Sequence, residues 1–343
     1  MKKTFAGFFL GLAIALSLTL LAGENPLNIG MILFKSAFGS MYDLGLTLFY
    51  TTPLIFAGLS VALAFHAGLF NIGGEGQLTM ATLTAAAIGV FWPGLPFPIA
   101  PVVALAGALL MGALWGLIAG WLKAVRGSHE VIVTIMMNFI AAGLASWFTL
   151  QVIPNPNSQN PETAPVGAGY MLKDYDLIAR LFPDTPVSAA LVVAIVVAIS
   201  VWVLLWKTTF GYELRAVGYN PEAANRAGIS EKNIKIWAMA LAGMLAGFVA
   251  LGEVMGNSGQ FKIGFSADYG FIGIAVALLA QNNPIGVIFA AFLMGALHKG
   301  ASDLDLETTT ITRDFSKIIQ SLIILGVASH GLWTWRQTRR QKK

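Results

Sequence analysis

The chain has 343 residues, 56% of them hydrophobic and only 11% charged, against about 25% charged in an ordinary globular chain, so a soluble domain is excluded. With a mean hydropathy of +0.72 it reads as a polytopic membrane protein. Cysteine is absent, which removes disulfides and Cys-ligated metals, and the basic residues behind the net charge of +4 sit at the ends of apolar runs, as membrane topology requires, instead of forming a nucleic-acid patch.

A span needs roughly 20 apolar residues to cross the hydrocarbon. Residues 5–22 make the first, preceded by Lys2 and Lys3. The run is long for a signal peptide, and Gly23-Glu24-Asn25-Pro26 is a poor cleavage site, so it is expected to be retained. Residues 27–42 mix Lys35, Ser36 and Ser40 with apolar side chains and suit a short interfacial helix. The second span, 44–65, contains Pro53, and H-A-G-L-F-N-I-G-G-E-G-Q interrupts the apolar pattern at 66–77. A third span runs on to Trp92, a fourth covers 101–122 and ends at Lys123 and Arg126, and a fifth covers 131–150. The Pro- and Asn-rich segment 151–186 holds Glu162, Lys173, Asp174, Asp176, Arg180 and Asp184, and is expected in water. A sixth span follows at 187–206.

Residues 207–235 form a polar stretch between long apolar runs. Within it Asn220-Pro221-Glu222 starts a helix: Asn caps, Pro fits the first position, and Glu suits the positive end of the dipole. Gly228 is placed to close it in the left-handed conformation. A helix of about two turns does not stand alone in water, so it needs a docking surface. A second protein and an ordinary capped loop both satisfy these residues.

A seventh span covers 236–252, followed by a Gly-rich outer connection at 253–268 with Glu253, Lys262 and Asp268. Two short apolar segments, 269–281 and 285–297, are joined by Asn282-Asn283-Pro284. The chain then leaves the membrane through 302–314, and a last span at 318–335 ends in Arg336, Arg339, Arg340, Lys342 and Lys343. The expected fold is therefore all-α and polytopic, with about ten transmembrane helices in a single domain over 1–343. With both termini cytoplasmic, two-thirds of the 21 Lys and Arg residues fall inside, which supports the count. A first half (1–206) and a second half (236–343) of five spans each, separated by the stretch 207–235, would have inverted orientations, with a broken segment in each half.

The interruption at 70–77 sets Asn71, Glu75 and Gln77 among glycines. Irregular backbone at membrane depth must be buried in protein or line a wet cavity, and an ionisable residue there is a functional candidate. Asn71, Glu75, Gln77 and Asn138, with Gln281 and Asn282 in the second half, are the candidates for a translocation path or gate. The alternatives are a capping role for Glu75, interhelical hydrogen bonding for Asn138, and an ordinary tight turn at 281–284. Glu130 is read as a first-turn dipole partner. No Ser/His/Asp, zinc-ligand or Walker spacing is present, and His66, His129, His298 and His330 are far apart. An enzyme reading has no support.

Four motifs in order, 58–77, 130–138, 213–229 and 270–286, resemble the permease subunits of ABC importers for nucleosides and simple sugars, relatives of the branched-chain amino acid permeases. The A-F-H-A-G-L-F-N-I-G-G-E-G-Q wording is most similar to the nucleoside type. The resemblance implies that Glu213, Arg215, Gly218, Asn220, Pro221, Glu222, Ala223, Ala224, Arg226 and Gly228 belong to a cytoplasmic coupling loop gripped by a separate ATPase, with Glu222-Ala223-Ala224 as the matching triplet. Small Ala223 and Ala224 would permit close approach, and Arg215 and Arg226 would face acidic partner residues. It further implies a second permease subunit, often a different polypeptide, an extracytoplasmic substrate-binding protein, and location in the bacterial inner membrane. No cofactor is expected on this chain, ATP and Mg²⁺ being held by the ATPase. A sugar, a branched-chain amino acid or riboflavin remains open as cargo, and an ion-coupled secondary transporter remains open as mechanism.

Overall fold

The computed structural model describes residues 2–172, 177–266 and 268–308, together with Ile318, Ser321, Leu322, Leu325 and Gly326. The rest of the expected last span, the basic tail, and Lys173, Asp174 and Asp176 lie outside the described residues. The described chain is a helical bundle: α1 (Lys2–Leu18), α2 (Pro26–Phe38), α3 (Met41–His66), α4 (Gly74–Phe91), α5 (Ile99–Arg126), α6 (Glu130–Gln151), α7 (Leu177–Leu181), α8 (Ala190–Lys207), α9 (Thr209–Tyr219), α10 (Pro221–Arg226), α11 (Glu231–Gly247), α12 (Tyr269–Leu279) and α13 (Pro284–Glu307). Among the described residues, six helices are long and apolar enough to cross a membrane: α3, α5, α6, α8, the helix Glu231–Ser258 that begins as α11, and α13. Shorter apolar helices occupy Phe9–Leu18, Pro26–Phe38 and Tyr269–Leu279.

Helix α3 is the hub. It carries Pro53 in its interior and is buried nearly all round, from Thr51 to Ala64. Helices all round it satisfy its apolar surface, as expected of a segment with no polar face. The peripheral helices behave differently. Along α5 the buried residues include Ala100, Ala104, Ala108, Gly112, Gly116 and Gly120, one every fourth position, while Leu110, Leu114 and Ile118 are exposed. Helix α8 repeats the scheme with Ala190, Ala194 and Ala198, and α6 with Ala141 and Ala145. Small residues on one stripe let backbones approach where lipid gives no hydrophobic drive to associate. The tightest example is α5 against α11: a Cβ at Gly112 would collide with the Gly243 carbonyl, and one at Gly116 with that of Met239.

Three expectations need correction. The segment 253–258 is not an outer connection, because helix α11 continues through Phe248 into a π-helical stretch, Leu251–Ser258, that buries Glu253. Gly256 makes this possible by lying against Ser188, where a Cβ would clash. The apolar segment 285–297 is not short either. It is part of one 24-residue helix, α13, that runs on past the expected exit at 302. Lys299 is 4% exposed there, and its ion pairs with Asp43 at the start of α3, at 3.5 Å, and with Asp303, in the segment expected to leave the membrane, hold these charges against the protein. Finally, the segment after α6 is partly built into the protein. Thr163 N–H donates to the Phe261 carbonyl at 2.9 Å, Val166 N–H donates to Gly259 at 2.8 Å, and Glu162 is buried. A helix does form in the segment 27–42: α2, capped by the Asn25 side chain, with Ile29, Leu33 and Ala37 turned inward.

Candidate functional site

Helix α3 stops at His66, and the backbone turns through Gly68 before α4 begins at Gly74. Glu75 and Gln77 therefore sit in the first turns of α4, and the irregular backbone ends sooner than the sequence pattern indicates. Asn71 is 0% exposed. Its Nδ2 donates to Ser60 Oγ at 3.1 Å and to Gln77 Oε1 at 2.9 Å, and its Oδ1 accepts from Gly73 N–H and Gln77 Nε2, both at 3.1 Å. Asn138 of α6 holds the other side: its Oδ1 accepts from Gly76 N–H at 2.8 Å and its Nδ2 donates to the Ile72 carbonyl at 3.0 Å. In this conformation the amides of Asn71 and Asn138 are spent on the broken backbone, which would otherwise be unsatisfied, and that of Gln77 is spent on Asn71.

The Glu75 carboxylate reaches across to the second half. One oxygen accepts from Gly270 N–H at 2.8 Å, in the first turn of α12, and the other accepts from Ser266 Oγ. A single carboxyl group thus serves the positive ends of two helices, α4 and α12. The fit is close, since a Cβ at Gly270 would collide with the Glu75 backbone. Glu75→Ala leaves both donors unpaired and is expected to destabilise the purified protein by about 1–3 kcal/mol per donor, while Glu75→Gln, which keeps an acceptor, is expected to lose less. Thermal unfolding in detergent compares the two directly.

Gln281 and Asn282 both adopt left-handed backbone, with φ of 53° and 58°, and make the tight turn between α12 and α13. Asn283 caps α13 through its side chain, 3.0 Å from Ile285 N–H. The Asn282 carbonyl accepts from His66 Nε2 at 3.0 Å, which brings the end of α3 onto this turn.

A second buried polar group escaped the sequence reading. Glu253, in the π-helical stretch, is 8% exposed and faces Tyr269 and Asn257, and its buried Oε1 finds no hydrogen-bond partner among the described residues. The Tyr269 ring lies 6.1 Å from that of His298, which in turn lies 4.7 Å from that of Tyr50. The only trace in the sequence is a carboxylate set among Gly252, Gly256 and Gly259 straight after an apolar run, a pattern shared with outer loops. A π-helical turn often marks such a place, because it widens the helix and re-aims one side chain.

The polar stretch folds into three capped helices. Thr208 caps α9, Asn220 Oδ1 accepts from Ala223 N–H at 3.1 Å to cap α10, and Ser230 caps α11. Gly228 adopts φ of +84°, its N–H donates to Asn225, and Ile229 N–H reaches back to Ala224, so a Schellman motif closes α10. Asn225 also bonds Glu231 with both its Oδ1 and Nδ2 at 3.1 Å, tying α10 to the start of α11. Orientation separates the two alanines of the triplet. Ala224 is 4% exposed and packs into this chain's own core, whereas Glu222, Ala223 and Arg226 are exposed. Arg215 lies over the Trp206 ring, 4.8 Å from its centroid, which leaves Arg226 as the outward-facing arginine of the pair. Glu213 and Gly218 are half-buried on α9, and Tyr219, just before the cap, is 91% exposed. Among the described residues no group of His, Asp and Glu is arranged to hold a metal ion.

A helix interrupted between α3 and α4 and held there by buried amides, in a bundle with six helices long and apolar enough to cross a membrane, is an arrangement found in transport proteins. The family described as the branched-chain amino acid transport system permease component matches residues 44–328. The chain belongs to this permease family. The guanosine ABC transporter permease protein NupP of Bacillus subtilis is 36% identical over 93% of this permease and 90% of its own length. The nucleoside ABC transporter permease protein NupB of Lactococcus lactis is 34% identical over 94% of this chain and 88% of its own. The glucose ABC transporter permease protein TsgB13 of Haloferax volcanii is 32% identical over 88% and 80%. Membership accounts for the apolar composition and for a multi-pass permease built on small-residue packing.

Proposed function

We propose that this permease is the membrane-spanning subunit of an ABC importer that moves a nucleoside into the cell, driven by a separate ATPase that grips α10. The observation that carries the cargo is that two relatives from different organisms, aligned over nearly the whole chain, are a guanosine and a nucleoside permease. The glucose permease at 32% identity keeps a simple sugar as the second reading. The capped, exposed α10, too short to be stable alone, supports the docking role. On this reading the chain forms ten spans in two inverted halves of five, with α10 and both termini in the cytosol of a bacterial cell. The meeting of α4 and α12 at Glu75, one interrupted helix from each half, supports the inversion.

Asn71, Glu75, Gln77, Asn138, Gln281 and Asn282 then act as path and gate elements, through the hydrogen bonds that must break or move when the halves separate. A second permease subunit completes the path, and an extracytoplasmic binding protein delivers the cargo to the outer face. ATP and Mg²⁺ are held by the ATPase, and this chain binds no cofactor.

The test is to purify the permease with its ATPase and partner permease, and to measure ATP hydrolysis with the binding protein loaded from a panel of nucleosides and sugars. Stimulation at least several-fold stronger by nucleosides is expected. Stimulation by sugars alone reassigns the cargo, and uptake in cells lacking the ATPase replaces the importer with an ion-coupled carrier.

A further inference from the structure

Helix α9 meets the end of α3 directly at Gly218 and indirectly through Trp206 of α8. The Arg215 guanidinium lies 4.8 Å over the Trp206 ring, and the His66 ring meets the same ring edge-on, with centroids 5.0 Å apart. Three residues after Arg215, Gly218 abuts the His66 carbonyl and Gly68, where a Cβ would come within 3.0 Å of the Gly68 nitrogen. His66 holds a further element. Its Nε2 is 3.0 Å from the Asn282 carbonyl, and because a carbonyl only accepts, that nitrogen carries the proton. An unbroken line of contacts, Arg215 to Trp206 to His66 to Asn282, therefore joins α9 to the turn between α12 and α13.

Two features mark the far end of this line as able to move. The turn is made of consecutive left-handed residues, Gln281 and Asn282, and the buried Oδ1 of Asn282 has no hydrogen-bond partner among the described residues. Beside it lies a cavity of about 350 Å³ lined by His66, Trp206, Gln281, Asn282, Phe289 and Ala290, among others. A close-packed interior transmits a push but gives no room for a swing, whereas an element next to a void can shift without displacing its neighbours.

We propose that His66 and Trp206 are positioning residues that carry a displacement of α9 to the α12–α13 turn, and that this turn is the moving part of the cytosolic gate. The proposal rests on the reading that an ATPase grips α10, since α10 follows α9 directly through the Asn220 cap.

The experiment uses the full transporter in lipid nanodiscs with cysteine-free partner subunits. The chain itself has no cysteine, so Phe289→Cys, at a position 67% exposed on α13, carries a single spin label beside the turn. In the parent, the label's spectrum is expected to shift when ATP is trapped. Trp206→Leu is expected to abolish the shift and to lower nucleoside imported per ATP hydrolysed at least five-fold, with the ATPase still co-purifying. Trp206→Phe, which keeps a ring between His66 and Arg215, is expected to restore most of both. Where Trp206→Leu does not insert, His66→Phe serves instead, as it keeps a ring on Trp206 but removes the donor to Asn282. A parent-like spectral shift and transport ratio in either broken variant overturns the relay and leaves the docking helix standing. Failure of the docking reading has a different signature, full ATPase binding after both Tyr219→Ala and Ala223→Trp, two substitutions at exposed positions beside and on α10.

Discussion

Tyr219→Ala is expected to weaken association of the ATPase by about 30-fold, roughly 2 kcal/mol, and to reduce nucleoside uptake in proportion at limiting ATPase. The reasoning starts from exposure: Tyr219 is 91% exposed at the end of α9, next to the capped start of α10. A rigid aromatic with a polar tip that stands almost wholly out of its own chain is the kind of side chain that anchors an interface. Around it Glu222, Ala223 and Arg226 form an exposed rim. Ala223→Trp on that rim is expected to block docking by bulk while the permease still inserts. Ala224→Trp differs, because Ala224 is 4% exposed against this chain's own core and a large ring there disrupts the permease itself. Gly228→Ala is milder still: its φ of +84° makes a side chain cost about 1 kcal/mol, but nothing lies within 4 Å of the new carbon. Yield of the inserted permease, followed by binding of labelled ATPase to it in nanodiscs, separates the four. Wild-type affinity for Tyr219→Ala and Ala223→Trp together would remove α10 from the docking surface.

The second large effect is structural. Gly116→Leu is expected to abolish recovery of folded protein, with a cost above about 3 kcal/mol, because the added atoms meet the Met239 backbone and no side chain can move aside. Gly243→Leu, facing Gly112 from α11, is expected to do the same. Gly143→Leu on α6 is the control, since nothing lies within 4 Å of its Cβ. Yield of monodisperse protein by fluorescence-detected size exclusion reads all three, and a well-folded Gly116→Leu protein would show that α5 and α11 do not pack as described.

The broken-helix junction and the coupling segment differ in how far the sequence exposes them. In the coupling segment, the Asn220 cap and the Gly228 closure were legible because both are local: each bond spans a few residues, so residue type and spacing suffice. Near Glu75 the glycines and the carboxylate marked the place, but not the partner. The Gly270 N–H lies 195 residues away in sequence. Nothing local encodes that meeting. Glu253 and Asp303 misled for a related reason, since a charge after an apolar run reads as leaving the membrane unless its partners are known: Lys299 meets Asp303 only because α13 continues, and Tyr269 is brought to face Glu253 by packing.

Composition and apolar run length alone determined that this chain lives in lipid, because transfer free energy depends on the residues and hardly on their arrangement. Helix starts and stops were likewise written in capping residues, whose bonds close within one turn. What only the tertiary structure decided is direction: that Ala224 turns inward while Ala223 turns out, that the small residues of α5 meet those of α11, and that one glutamate serves two helix ends. Those choices follow from which helices become neighbours. That is a property of the whole bundle, in which every buried donor and acceptor must find its partner at once.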